Sequence, residues 1–200
     1  MKIGINYWTL GGFEGKTPIA EAARTARALG FDAIELCFGA GELTPETSRP
    51  ALDRIRTAVD AAGVELSSLA TGHYWGASLG SPDDAERKAA VDFTEAYIRA
   101  AGRLGAGAVL VMPGAVDVGW DPSRPVVPAQ QVYDLSRESL AALVPIAEQE
   151  GVTIALENVW SKFLTGPFEF RAYIDSFESE RVKAYFDVGN VVIHGHPQHW

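Results

Sequence analysis

Three times in this sequence a helix-like stretch runs into a glycine and comes out as a strand: Leu29-Gly30-Phe31-Asp32, Ala62-Gly63-Val64-Glu65 and Glu150-Gly151-Val152-Thr153. Glycine takes the left-handed conformation that stops a helix at little steric cost, and an apolar run follows each time. The same rhythm fills the chain. Strand patterns fall at 2–8, 32–38, 64–70, 108–112, 152–157 and 182–187, with helix patterns near 18–29, 49–62, 84–104, 128–150 and 168–177. Thr17-Pro18 and Ser81-Pro82-Asp83-Asp84 supply helix starts. Strands that alternate with amphipathic helices require a parallel sheet with covered faces.

Two α/β architectures fit that rhythm. A doubly wound sheet needs a glycine-rich phosphate loop just after an early strand. The run Gly102-Arg103-Leu104-Gly105-Ala106-Gly107 instead precedes a strand, where it reads as a helix stop. A closed barrel needs polar groups at the carboxyl ends of several strands. Those ends here are Asn6-Tyr7-Trp8, Glu35, His73, Met112-Pro113-Gly114, Glu157-Asn158 and Asp187-Val188-Gly189-Asn190. The chain is therefore expected to form one domain over residues 1–200, a (β/α)8 TIM barrel of which about six strands are present. Eight units usually take about 250 residues. An incomplete barrel is expected rather than an open sheet, whose apolar edges would be exposed.

Charge narrows the partners. Lys and Arg number 17 against 26 Asp and Glu, a formal net charge of -9, which argues against nucleic acid or an anionic membrane as partner. No apolar run approaches the roughly 20 residues of a membrane span, and the amino terminus has a strand pattern rather than that of a signal peptide. A cytoplasmic location is expected. Cys37, the one cysteine, excludes an internal disulfide and sits in an apolar run as a small buried hydrophobe.

The chemistry gathers late in the chain. Side chains alternate along a strand, so Thr153, Ala155 and Glu157 share one face and Ile154 and Leu156 the other. The smaller set belongs to the barrel axis, which puts Glu157 inward at the rim. Asp187 repeats the placement one strand later. Adjacent strands lie about 4.8 Å apart, close enough for two rim carboxylates to share one ion. Hard oxygen ligands suit Mg²⁺ or Mn²⁺, and added imidazole would widen the choice to Co²⁺ or Zn²⁺. Read alone, Glu157 also fits a solvated loop start or a helix-cap partner, and Asp187 turn chemistry before Gly189.

The segments Leu156-Glu157-Asn158-Val159-Trp160-Ser161-Lys162-Phe163 and Ala184-Tyr185-Phe186-Asp187-Val188-Gly189-Asn190 resemble the xylose isomerase-like TIM barrels, a superfamily of sugar isomerases and epimerases. Within it the resemblance is to the ketose and ketose-5-phosphate 3-epimerases. It implies one divalent cation (Mn²⁺, Mg²⁺ or Co²⁺, with Zn²⁺ admitted) on Glu157, Asp187, a histidine from a seventh strand and a glutamate from an eighth. The last two would lie beyond Trp200. It further implies that Glu157 doubles as catalytic base for a sugar or sugar phosphate, acting through an enediolate, and it allows a homo-oligomer. Asn190 stands where the free-sugar epimerases carry a substrate-contacting histidine. The three-zinc endonucleases of the superfamily are excluded, because Met112 and Asn190 occupy positions that would need histidine. Two other readings stay open: a lyase of the inosose dehydratase kind, and a non-catalytic fragment that keeps the fold, as the 200 residues alone are expected to be.

Further candidates for the pocket are weaker. Glu35, inward by the same parity, is a pocket hydrogen-bonder or half of a structural pair. His73 is a substrate contact or a solvated loop histidine. Trp8, Tyr7 and Trp160 are pocket walls or core, and Lys162 is a candidate phosphate contact. His194, His196 and His199 lie in a Gly-Pro loop that reads poorly as a zinc site.

Overall fold

The computed structural model describes residues 1–193 and 195–200. Six strands are present: β1 (Gly4–Asn6), β2 (Ala33–Cys37), β3 (Glu65–Ala70), β4 (Ala108–Val111), β5 (Thr153–Glu157) and β6 (Val182–Tyr185). Between them run α1 (Trp8–Gly11), α2 (Ile19–Ala28), α3 (Arg49–Ala62), α4 (Asp84–Leu104), α5 (Ala129–Glu150) and α6 (Pro167–Asp175), and α7 (Val188–Val192) follows β6. All strand pairs are parallel and each strand neighbours the next in sequence, giving the order β1-β2-β3-β4-β5-β6.

Local chemistry explains the boundaries. Asp83 starts α4 by accepting the amide hydrogens of Ala85 and Glu86, two of the donors a helix leaves without internal partners. Helices α3, α4 and α5 each end on a left-handed glycine, Gly63, Gly105 and Gly151, at φ 73°, 80° and 70°. The 102–107 run thus closes α4.

Every strand is shorter than its pattern, and at the first and the last the shortening moves a rim residue off the strand. In the first, Asn6 Oδ1 accepts the Trp8 amide at 2.8 Å and turns the chain into α1, so Trp8 sits on a short helix instead of a strand. In the last, Asp187 Oδ1 accepts the Asn190 amide at 2.7 Å and starts α7, so Asp187 lies two residues past the end of β6. In both, a short polar side chain offers the backbone a turn that competes with the ladder.

Strand parity sorts the core as expected. Ile34, Leu36, Val109, Val111, Ile154 and Leu156 are wholly buried and pack beneath the helices. The opposite face carries smaller or polar groups, among them Asn6, Glu35, Ser68, Ala155 and Tyr185. Tyr185 on β6 donates to both carboxylate oxygens of Glu35 on β2, at 3.0 Å each. Four strand spacings separate these strands, about 19 Å in a flat sheet. Two side chains on one face could not span that gap, so the sheet curls and its small-residue face becomes a barrel interior.

The contact is testable. Tyr185→Phe should lower the free energy of urea unfolding by about 1–3 kcal/mol, the usual worth of a hydrogen bond to a charged group plus partial desatisfaction. An unchanged unfolding midpoint would mean that the bond contributes nothing to holding the curl.

Candidate functional site

Curling the sheet gathers the carboxyl ends of the strands around a cleft of about 700 Å³. Glu157 lines it from the last residue of β5 and Asp187 from the start of α7, with Asn190 one turn further on. Glu157 pairs in register with Tyr185, which leaves Asp187 just above that pair. A second groove lies along α6 and β6, but most of its charged groups are surface residues paired with one another, Arg171 with Asp175 and Lys183 with Glu180. Convergent polar groups in a concave apolar setting distinguish the first cleft.

Asparagines hold the two carboxylates. Asn190 donates its backbone N–H to Asp187 Oδ1 at 2.7 Å and its side-chain Nδ2 to Glu157 Oε1 at 3.1 Å. The same Nδ2 donates to the Asn158 carbonyl at 2.9 Å. Asn158, which the sequence had not singled out, is 5% exposed and grips the Asp187 backbone at both polar atoms. The other oxygen of each carboxylate, Oε2 of Glu157 and Oδ2 of Asp187, has no protein donor among the described residues, and no Lys, Arg or His among them forms an ion pair with either group.

That arrangement leaves uncompensated negative charge. Burial, then the Asp187 charge, then the Glu35 charge push the Glu157 carboxyl up to about 7, against the Asn190 hydrogen bond that favours ionisation. Two acceptor oxygens on neighbouring side chains, with a raised carboxyl and no cationic side chain paired to it among the described residues, make a donor set suited to a hard divalent cation. No cluster of three or more His, Cys, Asp or Glu side chains with metal-holding geometry occurs among the described residues.

The remaining candidates separate into cleft and framework. Trp8 and Trp160 line the cleft, whereas Tyr7 is core, with its hydroxyl donating to the Thr17 carbonyl. Glu35 is 6% exposed and lies outside the cleft lining. It accepts hydrogen bonds from Asn6, Ser68 and Tyr185, and so belongs to the interior framework. His73 lines the cleft, but its ring stacks flat on Phe93, with centroids 3.7 Å apart, and its Nε2 is buried without a partner. Burial lowers its pKa and favours the neutral ring. Lys162 lies outside the cleft lining and pairs with Asp117. His194 lies outside the described residues, and His196 and His199 lie away from the cleft.

The cleft also has walls that single residues in the sequence did not announce. Phe13, Phe38, Trp75 and Trp120 join Trp8 and Trp160, and Cys37 sits in the floor. Trp8 Nε1 donates to Cys37 Sγ at 2.9 Å, while burial raises the thiol pKa. Trp75 and Trp120 pack edge to face at 4.4 Å. Beneath them Arg124 ties the Gly76 carbonyl to Glu86, which pins the loops after β3 and β4 together.

The sequence model of the xylose isomerase-like TIM barrels matches residues 23–200. This chain belongs to that family. Its six parallel strands and alternating helices are the corresponding part of the family's barrel. Among solved structures, D-psicose 3-epimerase determined in the presence of D-fructose superposes with a TM-score of 0.82 at 22% identity, over 97% of this chain and 66% of that one. D-psicose 3-epimerase from Clostridium cellulolyticum H10 gives 0.82 at 19% identity, over 97% and 66%. L-ribulose 3-epimerase gives 0.79 at 20%, over 96% and 62%. At such identities the likeness is one of fold, and the chain spans just under two thirds of the length of these three structures. No curated protein matches the sequence closely. No helix among the described residues is long and apolar enough to cross a membrane.

For this family member the raised Glu157 carboxyl has a stability consequence. A carboxyl that holds its proton more tightly folded than unfolded favours the fold at low pH. That advantage disappears as pH rises from the ordinary carboxylate range through about 7. Glu157→Gln keeps the shape and removes the charge. In chelator-treated buffer it should raise the melting temperature relative to wild type, and the gap should widen from pH 5 to pH 8. A gap that is flat with pH would contradict the assigned burial and repulsion.

Proposed function

We propose that this chain is the part of a divalent-cation-dependent sugar epimerase or isomerase that carries Glu157 and Asp187 as cation ligands. The observation that carries the reading is the pair itself: two rim carboxylates bridged by Asn190, each keeping one oxygen free of protein donors among the described residues, in a cleft walled by aromatic rings. The fold likeness to three ketose 3-epimerases supports the same chemistry.

Glu157 and Asp187 would hold such a cation, which would supply positive charge where negative charge develops on a sugar carbonyl as a proton leaves the neighbouring carbon. Glu157 would take that proton as general base, and Asn190 keeps its carboxylate aimed with the Asp187 carboxyl beside it. The Trp8, Trp75, Trp120 and Trp160 rings offer flat apolar faces to the C–H surfaces of a sugar and keep bulk water from the reacting carbons. Among the described residues no Lys or Arg lines the cleft, and Lys162 is committed to Asp117, which favours a sugar without a phosphate.

Solvent-proton exchange tests the reading directly. With Mn²⁺ in D₂O, the full-length wild-type protein of which this chain is the part should wash deuterium into D-psicose, D-fructose or L-ribulose at the carbon next to the carbonyl. Glu157→Gln should slow this about 10²–10⁴-fold, the range expected for loss of a general base. Asp187→Asn should weaken Mn²⁺ binding measured by calorimetry. If Glu157→Ala changed neither exchange nor Mn²⁺ affinity, the assignment of the pair would fall.

A further inference from the structure

We propose that Asn158 is a positioning residue that sets the spacing of the two carboxylates by extending the β5–β6 ladder through its side chain. The inference rests on the reading of Glu157 and Asp187 as a cation-binding pair and adds the element that holds them to one geometry.

The backbone ladder between β5 and β6 ends at the pair Glu157 and Tyr185. Beyond it the chain must leave the sheet to enter α7, which starts at Val188. A residue at such an exit normally loses its neighbour strand and with it a defined distance to the previous rim residue. Here Asn158 replaces the missing rung. Its Oδ1 accepts the Asp187 amide hydrogen at 2.8 Å and its Nδ2 donates to the Asp187 carbonyl at 2.8 Å. The primary amide thus acts as a peptide group turned sideways, satisfying donor and acceptor of one backbone residue together.

Two features make this specific to asparagine. Asp offers no donor to the Asp187 carbonyl, Ser or Thr cannot serve both atoms in this plane, and Gln places its amide one methylene further out. Asn158 is also nearly buried, so water cannot readily take over either bond from its side. Its own carbonyl accepts from Asn190 Nδ2, the group that also holds Glu157 Oε1. A closed ring results, Glu157 to Asn190 to Asp187 to Asn158, in which neither carboxylate can shift without breaking a hydrogen bond. A metal site tolerates ligand displacement poorly, and loss of an outer partner commonly costs 10–100-fold in affinity.

Mn²⁺ and Ca²⁺ titrations of wild type, Asn158→Ala and Glu157→Gln test this, with hydrogen exchange of the wild-type Asp187 amide as a measurement that needs no variant. The Asp187 amide should be strongly protected in wild type. Asn158→Ala should bind Mn²⁺ roughly 10–100-fold more weakly, with a much smaller change for Ca²⁺, whose longer and more variable bonds tolerate a relaxed pair. A merely structural role would lower both affinities together, and that result would overturn the proposal. So would an unprotected Asp187 amide in wild type, or Asn158→Ala affinity equal to wild type while Glu157→Gln loses it. If Glu157→Gln binds Mn²⁺ as tightly as wild type, the cation-pair reading fails first and this proposal falls with it.

Discussion

The hydrogen bonds from Tyr185 to Glu35 are the constraint on which the rest of the site depends. They join the last strand to the second across the interior, which is feasible only because the sheet has curled through four strand spacings. Without that curl the rim residues of β5 and β6 would stand far from those of β1 to β3, and no shared cleft would exist. With it, Glu157 and Asp187 face Trp8, Phe38 and His73 across one opening. The framework uses a carboxylate for this join, and it satisfies that carboxylate fully: Asn6, Ser68 and Tyr185 all donate to Glu35.

The same interior thus holds carboxylates in two states of satisfaction. Glu35 is surrounded by donors and closed to the cleft. Glu157 has one side-chain donor among the described residues, shares it with a carbonyl, and lies close enough to Asp187 and Glu35 for their charges to raise its pKa. Burying a charge without a partner is expensive, and folds keep such charges where something else supplies the partner. The contrast separates structure from function among residues that look equivalent in sequence, because Glu35, Glu157 and Asp187 all stand near a strand's carboxyl end.

Much of this was legible from the chain. Strand–helix alternation, glycine stops and strand parity fix six parallel strands and the inward face, since they depend on local sterics and a two-residue period. Glu157 and Asp187 stand out because an inward rim carboxylate is costly on its face alone. What stayed hidden depends on tertiary geometry. Asn158 points along the rim to a backbone 29 residues away, and no periodicity marks that. Trp75 and Trp120 come from separate loops and meet only once Arg124 and Glu86 bring those loops together. Tyr7 and Lys162 stay ambiguous in the sequence for the converse reason: an aromatic or a cation next to a rim residue is a wall or a ligand only if its side chain turns into the cleft. The Thr17 carbonyl and Asp117 turn these two away.

One alternative for paired carboxylates is a proton-sharing dyad, in which like charges at short range cannot both ionise. A raised carboxyl near 7 beside an aspartate fits that description too. The hydrogen bonds argue otherwise. A dyad shares its proton through a short contact between the two carboxyl groups, and none joins Glu157 and Asp187. Instead Asn190 sits between them, donating its backbone N–H to one and its side-chain amide to the other. The asparagine therefore sits between the two carboxyl groups and keeps them side by side and apart, with one oxygen of each left without a donor among the described residues. Such a geometry stabilises a bound cation better than a shared proton, because a proton would bring the carboxyls together and a metal ion needs them held at a distance.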